Sequence, residues 1–313
     1  MRNAGRYIFR CAHDAHFEVT RVFDFIQPTI IALWNLRWQV QGFVLQLPNA
    51  SSVDLANRFA LGSGMRGGEL KRACVDTPWE RQKSDFAEFI LYTMIGAFEE
   101  YTARLAELAA PPSQQRRVSK SLQFPGAPSV SPIQQLVSPS SSLAGVFSSS
   151  VYSNKRYSSG ALHNLLICYR FFKAMRNMLA HNGGIADQET VDAYQRFSSV
   201  ATIAALGVPE VPMHHSLMLG DEIKLELRGV IGFSDVILRI ITTYDAHLSE
   251  STLAENEVAS RILPVAKKDQ FVKAEHKDRR ILKMVHNAGL PTATLTPAFV
   301  SLLQLKRVIP AFW

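Results

Sequence analysis

Phe171-Phe172-Lys173-Ala174-Met175-Arg176-Asn177-Met178-Leu179-Ala180-His181-Asn182-Gly183-Gly184 is the stretch that decides how this chain reads. At about 100° per residue, Leu165, Cys168, Phe172, Met175 and Leu179 share one stripe, the apolar face of an amphipathic helix. Asn177 and His181, four apart, lie together on the opposite, polar face. Arg176 sits on the flank of the apolar stripe, roughly 140° around from His181. Gly183 and Gly184 supply the left-handed residue that ends helices, which puts His181 in the last turn, where the helix dipole favours a protonated imidazole.

These side chains have the chemistry that metal-free RNA cleavage requires. A group titrating near neutral pH can move the proton of a 2′-hydroxyl, and a permanent cation can meet charge developing on a phosphate. Because Arg176 and His181 diverge on one straight helix, a shared site calls for two copies of the helix face to face. Stability alone also accounts for a histidine at a helix C-terminus and an arginine at a stripe edge, and that reading stays open at this point.

The run resembles the signature of the HEPN superfamily (higher eukaryotes and prokaryotes nucleotide-binding domains). Its catalytic members carry arginine, a polar residue, three further residues and histidine near the end of the third helix of a small bundle. Arg176, Asn177 and His181 fill those positions. The resemblance spans roughly residues 13–250 and implies an antiparallel helical bundle that dimerises through the motif helix, 159–182. It further implies a metal-independent endoribonuclease, a toxin or antiviral-defence effector, with an antitoxin or regulatory partner as a further expectation.

The rest of the chain is read around that helix. It has 313 residues, 47% of them hydrophobic, and a net charge of +7, which suits an anionic partner without demanding one. Cys11, Cys74 and Cys168 are scattered and odd in number, pointing to a reducing compartment, the cytoplasm, rather than a disulfide framework. No signal peptide is expected, the apolar run at Tyr7–Phe9 being too short. Phe25–Leu47 is the most hydrophobic segment, but Pro28, Asn35, Arg37, Gln39 and Gln41 interrupt it, so it reads as a buried core helix and not a membrane span.

Periodicity predicts helices over 17–47, over 84–110 with Ser84 as cap, over 187–206 and over 230–248. Residues 111–158, with Pro-Pro, Ser-Pro and the triplets Ser140–Ser142 and Ser148–Ser150, read as a partly disordered, low-complexity insertion. Ile223-Lys224-Leu225-Glu226-Leu227 alternates like a strand, so a small β-hairpin is expected. The expected domains are a bundle over 1–252 and a basic helical appendage over 253–313. In the appendage a helix over 267–287, a tight turn at Gly289 and a helix from Thr296 leave two readings: a helix-turn-helix reader of DNA, or a packed helical hairpin.

Lys155, Arg156 and Tyr157, ahead of the motif helix, offer phosphate contacts and a stacking ring to RNA, and Lys173 on the helix is grouped with them. Lys155 and Arg156 pointing simply into water is the other reading. Gly62-Ser63-Gly64-Met65-Arg66-Gly67 matches a dinucleotide fingerprint in letters but lacks the strand before it, so it reads as a loop with Arg66, Lys71 and Arg72 nearby. Cys11, His13, His16 and His214-His215 have no metal-site spacing and read as surface residues. No cofactor is expected. The functional alternatives are a HEPN-like helical module that binds RNA, nucleotide or protein without cutting, and a DNA-binding regulator working through the basic tail.

Overall fold

The computed structural model describes residues 6–65, 69–126, 132–134, 138–267 and 276–312. Among them the secondary structure is helical, with no strands and two isolated bridges, Pro139 with Ser251 and Ile185 with Glu222. The elements are α1 (Arg10–Gln46), α2 (Ser52–Phe59), α3 (Trp79–Ala109), α4 (Pro112–Leu122), α5 (Ser148–Tyr152), α6 (Leu162–His181), α7 (Gln188–Val200), α8 (Ile203–Leu206), α9 (Leu227–Leu248), α10 (Thr252–Ala266), α11 (Lys277–Asn287) and α12 (Pro297–Leu305).

α1 and α3 run antiparallel, tied at one end by Arg104 to Asp14 at 3.1 Å and at the other by Arg37 to Gln82 at 2.8 Å. α9 lies against α1, α3 and α6 and is apolar on nearly every side; Phe233, Val236, Ile237, Ile240, Ile241 and Tyr244 are fully enclosed. A helix hydrophobic all round belongs in the middle of a protein. The buried core helix is therefore α9 and not the segment from Phe25 to Leu47. In that half of α1 one side packs on α2 and a π-helical turn at Arg72–Asp76, while Trp38 and Leu45 stay 60% and 81% exposed.

The start of α1 is capped from a distance. Phe9, at its N-cap, offers no side-chain acceptor. Instead the buried Asp245 carboxylate of α9 accepts the backbone N–H groups of Ile8 and Phe9, each at 2.9 Å, and satisfies donors a helix start leaves open. Beside it the Arg261 guanidinium of α10 donates to four carbonyls: Tyr7, Ile8, Ala288 and Gly289. One arginine thus joins the N-terminus of α1 to the turn after α11. Ile281, Met284, Phe299 and Leu303 of α11 and α12 lie in the same hydrophobic cluster as the bundle.

Several expectations are corrected. α3 starts at Trp79, right after Pro78, five residues before Ser84; Trp79 is drawn in because its ring packs on Trp34, 5.0 Å away. The expected β-hairpin is absent, because Glu222 bridges to Ile185 in the turn following α6 and the chain beyond enters α9 at Leu227. Where described, the insertion is structured. Residues 112–122 form α4, and the serine triplets find carboxylates: Ser148 donates to Glu250 and Ser140 to Glu255, while Leu143, Val146 and Phe147 are fully buried. Residues 127–131 and 135–137 of that expectation lie outside the described residues. Of the helix expected over 267–287, α11 forms Lys277–Asn287; α10 has already closed at Ala266, and 268–275 lie outside the described residues. The α11–α12 connection runs over 288–296, longer than the tight turn of a helix-turn-helix. Cys11 and His16 are buried rather than on the surface.

Two consequences are measurable. Arg261→Met removes charge-assisted bonds to four backbone carbonyls and should lower stability by about 3 kcal/mol in chemical denaturation. His16, packed on the Tyr7 ring, has its pKa pushed down to about 4, by burial first and then by the positive charges of Arg156, Arg6 and His13. The folded state therefore favours the neutral ring; this stability is complete above about pH 6.5 and is lost as pH falls through 4. Between pH 7 and pH 4 the parent should lose up to about 3 kcal/mol more than His16→Phe, measured by urea denaturation at each pH.

Candidate functional site

α6 carries the motif and is covered by aromatic contacts from three neighbours. Tyr169 meets Phe98 of α3 edge-on at 4.7 Å, Phe171 stacks on Phe197 of α7 at 5.2 Å, and Phe172 stacks on Phe233 of α9 at 4.4 Å. Of the expected stripe, Leu165, Cys168, Phe172 and Met175 are buried and Leu179 is half-buried. What remains in part accessible is the line His163, Ile167, Arg170, Ala174, Asn177 and His181, at steps of three and four residues, half-buried as far as Asn177 and exposed at His181, with Ala180 exposed beside it. Two of the three motif residues stand on it.

The end of α6 follows from its glycines. Gly183 and Gly184 adopt φ of 63° and 77°, and the Gly184 N–H returns to the Met178 carbonyl at 3.1 Å. A side chain at either position would be strained. His181 sits in the last turn, exposed, with no hydrogen bond or ion pair to any described residue; Asn177 is half-buried and equally unpartnered. The donors and acceptors of both are open to a ligand.

Arg176 is placed differently. It turns toward α3, where Nη2 donates to both carboxylate oxygens of Glu99 at 3.0 Å. Lys173, one turn earlier, reaches the same carboxylate at 2.6 Å and also donates to Gln123 Oε1 at 2.5 Å. Burial pushes the Lys173 pKa down, and the hydrogen bond and charge of Glu99 oppose that. Arg176 Nε is buried with no hydrogen-bond partner. One carboxylate therefore serves two cations, leaving a net positive charge and an unused donor beside the open stripe. Arg176 and His181 point apart, as the helical count predicts.

Glu99 had no signal in the sequence. It lies 77 residues before Arg176, and only the packing of α3 on α6 brings them together. Of the residues read as RNA contacts ahead of α6, Lys155 alone is exposed. Arg156 is half-buried and donates to Asp235 at 2.9 Å; burial raises the Asp235 pKa, but the bonds from Arg156 and Arg239 more than reverse that. Tyr157 packs between Tyr152 and His247, with ring centroids 5.0 and 6.0 Å away. Structure thus leaves Lys155 free and gives Arg156 and Tyr157 work inside the fold. Arg66 lies outside the described residues, whereas Lys71 and Arg72 are exposed.

The two ends of the motif should differ in their cost to stability. Arg176→Ala leaves Glu99 with one cation and empties half-buried space, for a loss of about 1–2 kcal/mol. His181→Ala should stay within about 0.5 kcal/mol of the parent. Thermal and urea denaturation of both variants checks the ordering.

The site is thus described on its own geometry, for no family model, no curated protein and no solved structure matches the chain.

Proposed function

We propose that this protein is a metal-independent endoribonuclease of HEPN type, acting as a dimer through the open stripe of α6, and that it serves as a toxin or antiviral-defence effector. The single observation behind the reading is that His181 and Asn177 stand unpartnered on that stripe, while Lys173 and Arg176 flank it around one carboxylate. A second copy laid along the stripe brings a cation of one helix near the histidine of the other, which one straight helix cannot do.

In this mechanism His181 accepts the 2′-hydroxyl proton as the 2′-oxygen attacks phosphorus. The P–O5′ bond breaks, and a histidinium, His181 of the second copy, returns a proton to the departing 5′-oxygen. Arg176 takes up charge on the non-bridging oxygens, releasing part of its bond to Glu99, and Asn177 orients the phosphate or the ring. The products are a 2′,3′-cyclic phosphate and a 5′-hydroxyl.

One observation favours a second reading. Because Glu99 satisfies Nη2 of Arg176 from both oxygens, the cluster also makes sense as a closed ion network in a module that binds RNA, nucleotide or protein and cuts nothing.

Purified protein incubated with total RNA in EDTA separates the two. Under the nuclease reading, RNA is cut to ends that block 3′ ligation until the cyclic phosphate is opened. His181→Ala should then lower the rate by about 10²–10⁴ with the fold retained, and Arg176→Ala should abolish cutting. Intact RNA with the parent, or equal cutting by parent and variants, assigns the protein to the binding module.

A further inference from the structure

The middle of α6 opens into a cleft of about 380 Å³ between α3 and α4. Lys173 and Gln123 line it, and Ser119, Arg116 and Lys120 of α4 add a second wall. That wall is fixed in place. Gln123, itself 5% exposed, donates to Thr102 at 2.9 Å, Tyr244 donates to the Leu122 carbonyl at 2.7 Å, and Val118 and Leu122 are buried in the core.

α4 gathers three cations on one short helix. Arg116, Arg117 and Lys120 are exposed, make no ion pair with described residues, and share the helix with no acid. Other exposed arginines are paired, Arg104 with Asp14 and Glu100, Arg81 with Asp85 and Arg228 with Glu210, whereas Lys71, Arg72 and Lys155 are, like the cations of α4, exposed without an ion pair to described residues. Glu99 and Glu107 also line the cleft, but Glu99 is already engaged by two cations. Arg116 and Lys120 are one helical turn apart, about 6 Å between Cβ atoms, a spacing that suits successive phosphates of an extended strand. The hydroxyl of Ser119 lies between them in sequence, and Lys173 links the cleft through Glu99 to Arg176.

We infer that this cleft is the strand-binding channel of the protein: it takes the phosphodiester backbone of a single RNA strand and leads it to Arg176. The class of ligand rests on the ribonuclease reading, whereas the place does not. An open cleft whose α4 rim carries two cations unpaired among the described residues, against the one carboxylate so unpaired, Glu107, with amide and hydroxyl groups within, favours a polyanion that runs through it over a compact anion enclosed by it.

The test is binding of a fluorescent 2′-O-methyl 12-mer to the full chain, by anisotropy over a salt series. This strand lacks the attacking hydroxyl, so binding is read without cleavage. Arg116→Ala/Lys120→Ala should bind at least about 10-fold more weakly and flatten the log–log salt slope by about 1.4, two single-strand phosphates. Lys71→Ala/Arg72→Ala, removing two exposed cations elsewhere, should bind like the parent. If the Arg116/Lys120 pair proves unstable by circular dichroism, Lys120→Gln alone carries the measurement, with half the change in slope. Unchanged binding by the α4 variants, equal loss in the control, or no binding by the parent overturns the inference. Competition by AMP, mole for mole as good as the oligomer, overturns it in favour of a nucleotide. Binding that depends on α4 in a protein that leaves ordinary RNA intact keeps the channel and removes the nuclease reading.

Discussion

Burial of α6 on three sides is the constraint from which the rest of the molecule follows. A helix that gives Tyr169 to α3, Phe171 to α7 and Phe172 to α9 leaves solvent little more than one half-buried line of side chains and the exposed end at Ala180 and His181. Aromatic burial on this scale dominates packing energetics, so the helix cannot turn to present another face. Whatever α6 does chemically, it does with His163, Ile167, Arg170, Ala174, Asn177 and His181, or with the long cations that reach around its edge. Arg170 shows how crowded that edge is: its guanidinium lies 3.9 Å from the centre of the Phe124 ring, and burial pushes its pKa down.

Glu99 sets the electrostatics at that edge. Two cations held near each other in half-buried space repel, and a single carboxylate between them relieves the repulsion without neutralising both. An arriving phosphate would compete with Glu99 for donors already desolvated and aimed, while Nε of Arg176 is buried without a partner. The same arrangement, left alone, is a stable ion cluster. Under the proposed nuclease reading, exchange between these two states, rather than a change of fold, would separate catalysis from a purely structural role.

Much of this was legible in the sequence, for identifiable reasons. The 3.6-residue period located α6, and the paired glycines fixed its end, because both signals are local. The divergence of Arg176 and His181 needed nothing more than helix geometry. What escaped detection was non-local. No pattern near Phe9 reveals a cap supplied by Asp245, so α1 was expected to start late. The hydrophobicity of Phe25–Leu47 suggested the core, yet half of its apolar side chains face outward, and the all-round apolar character of α9 was the better sign. Serine-rich composition suggested disorder in 111–158, whereas Glu250 and Glu255 turn those hydroxyls into anchors. Glycine patterns hid a close approach as well: a Cβ at Gly229 would lie 2.0 Å from the Met213 carbonyl oxygen and one at Gly232 3.3 Å from Pro212 Cα, so the segment before α9 crosses it over these two glycines.

The clamp of Asp245 and Arg261 on residues 7–9 has a consequence for synthesis. Its partners are separated by 236 to 254 residues, and the Gly289 carbonyl must also have emerged before Arg261 is satisfied. At the usual rate of about 5–20 residues per second, roughly 14–56 s pass between translation of Tyr7 and Gly289. In its later part, once His181 has been made, α6 is complete while α1 has no cap, and until Leu248 has been made α9 is wholly or partly missing from its side. A nascent chain therefore exposes the aromatic faces of α6 for longer than its final surface would suggest, and closes them late. Folding of this kind is slow and vulnerable to association, so the burden of holding the chain soluble falls on the ribosome and chaperones until the clamp shuts.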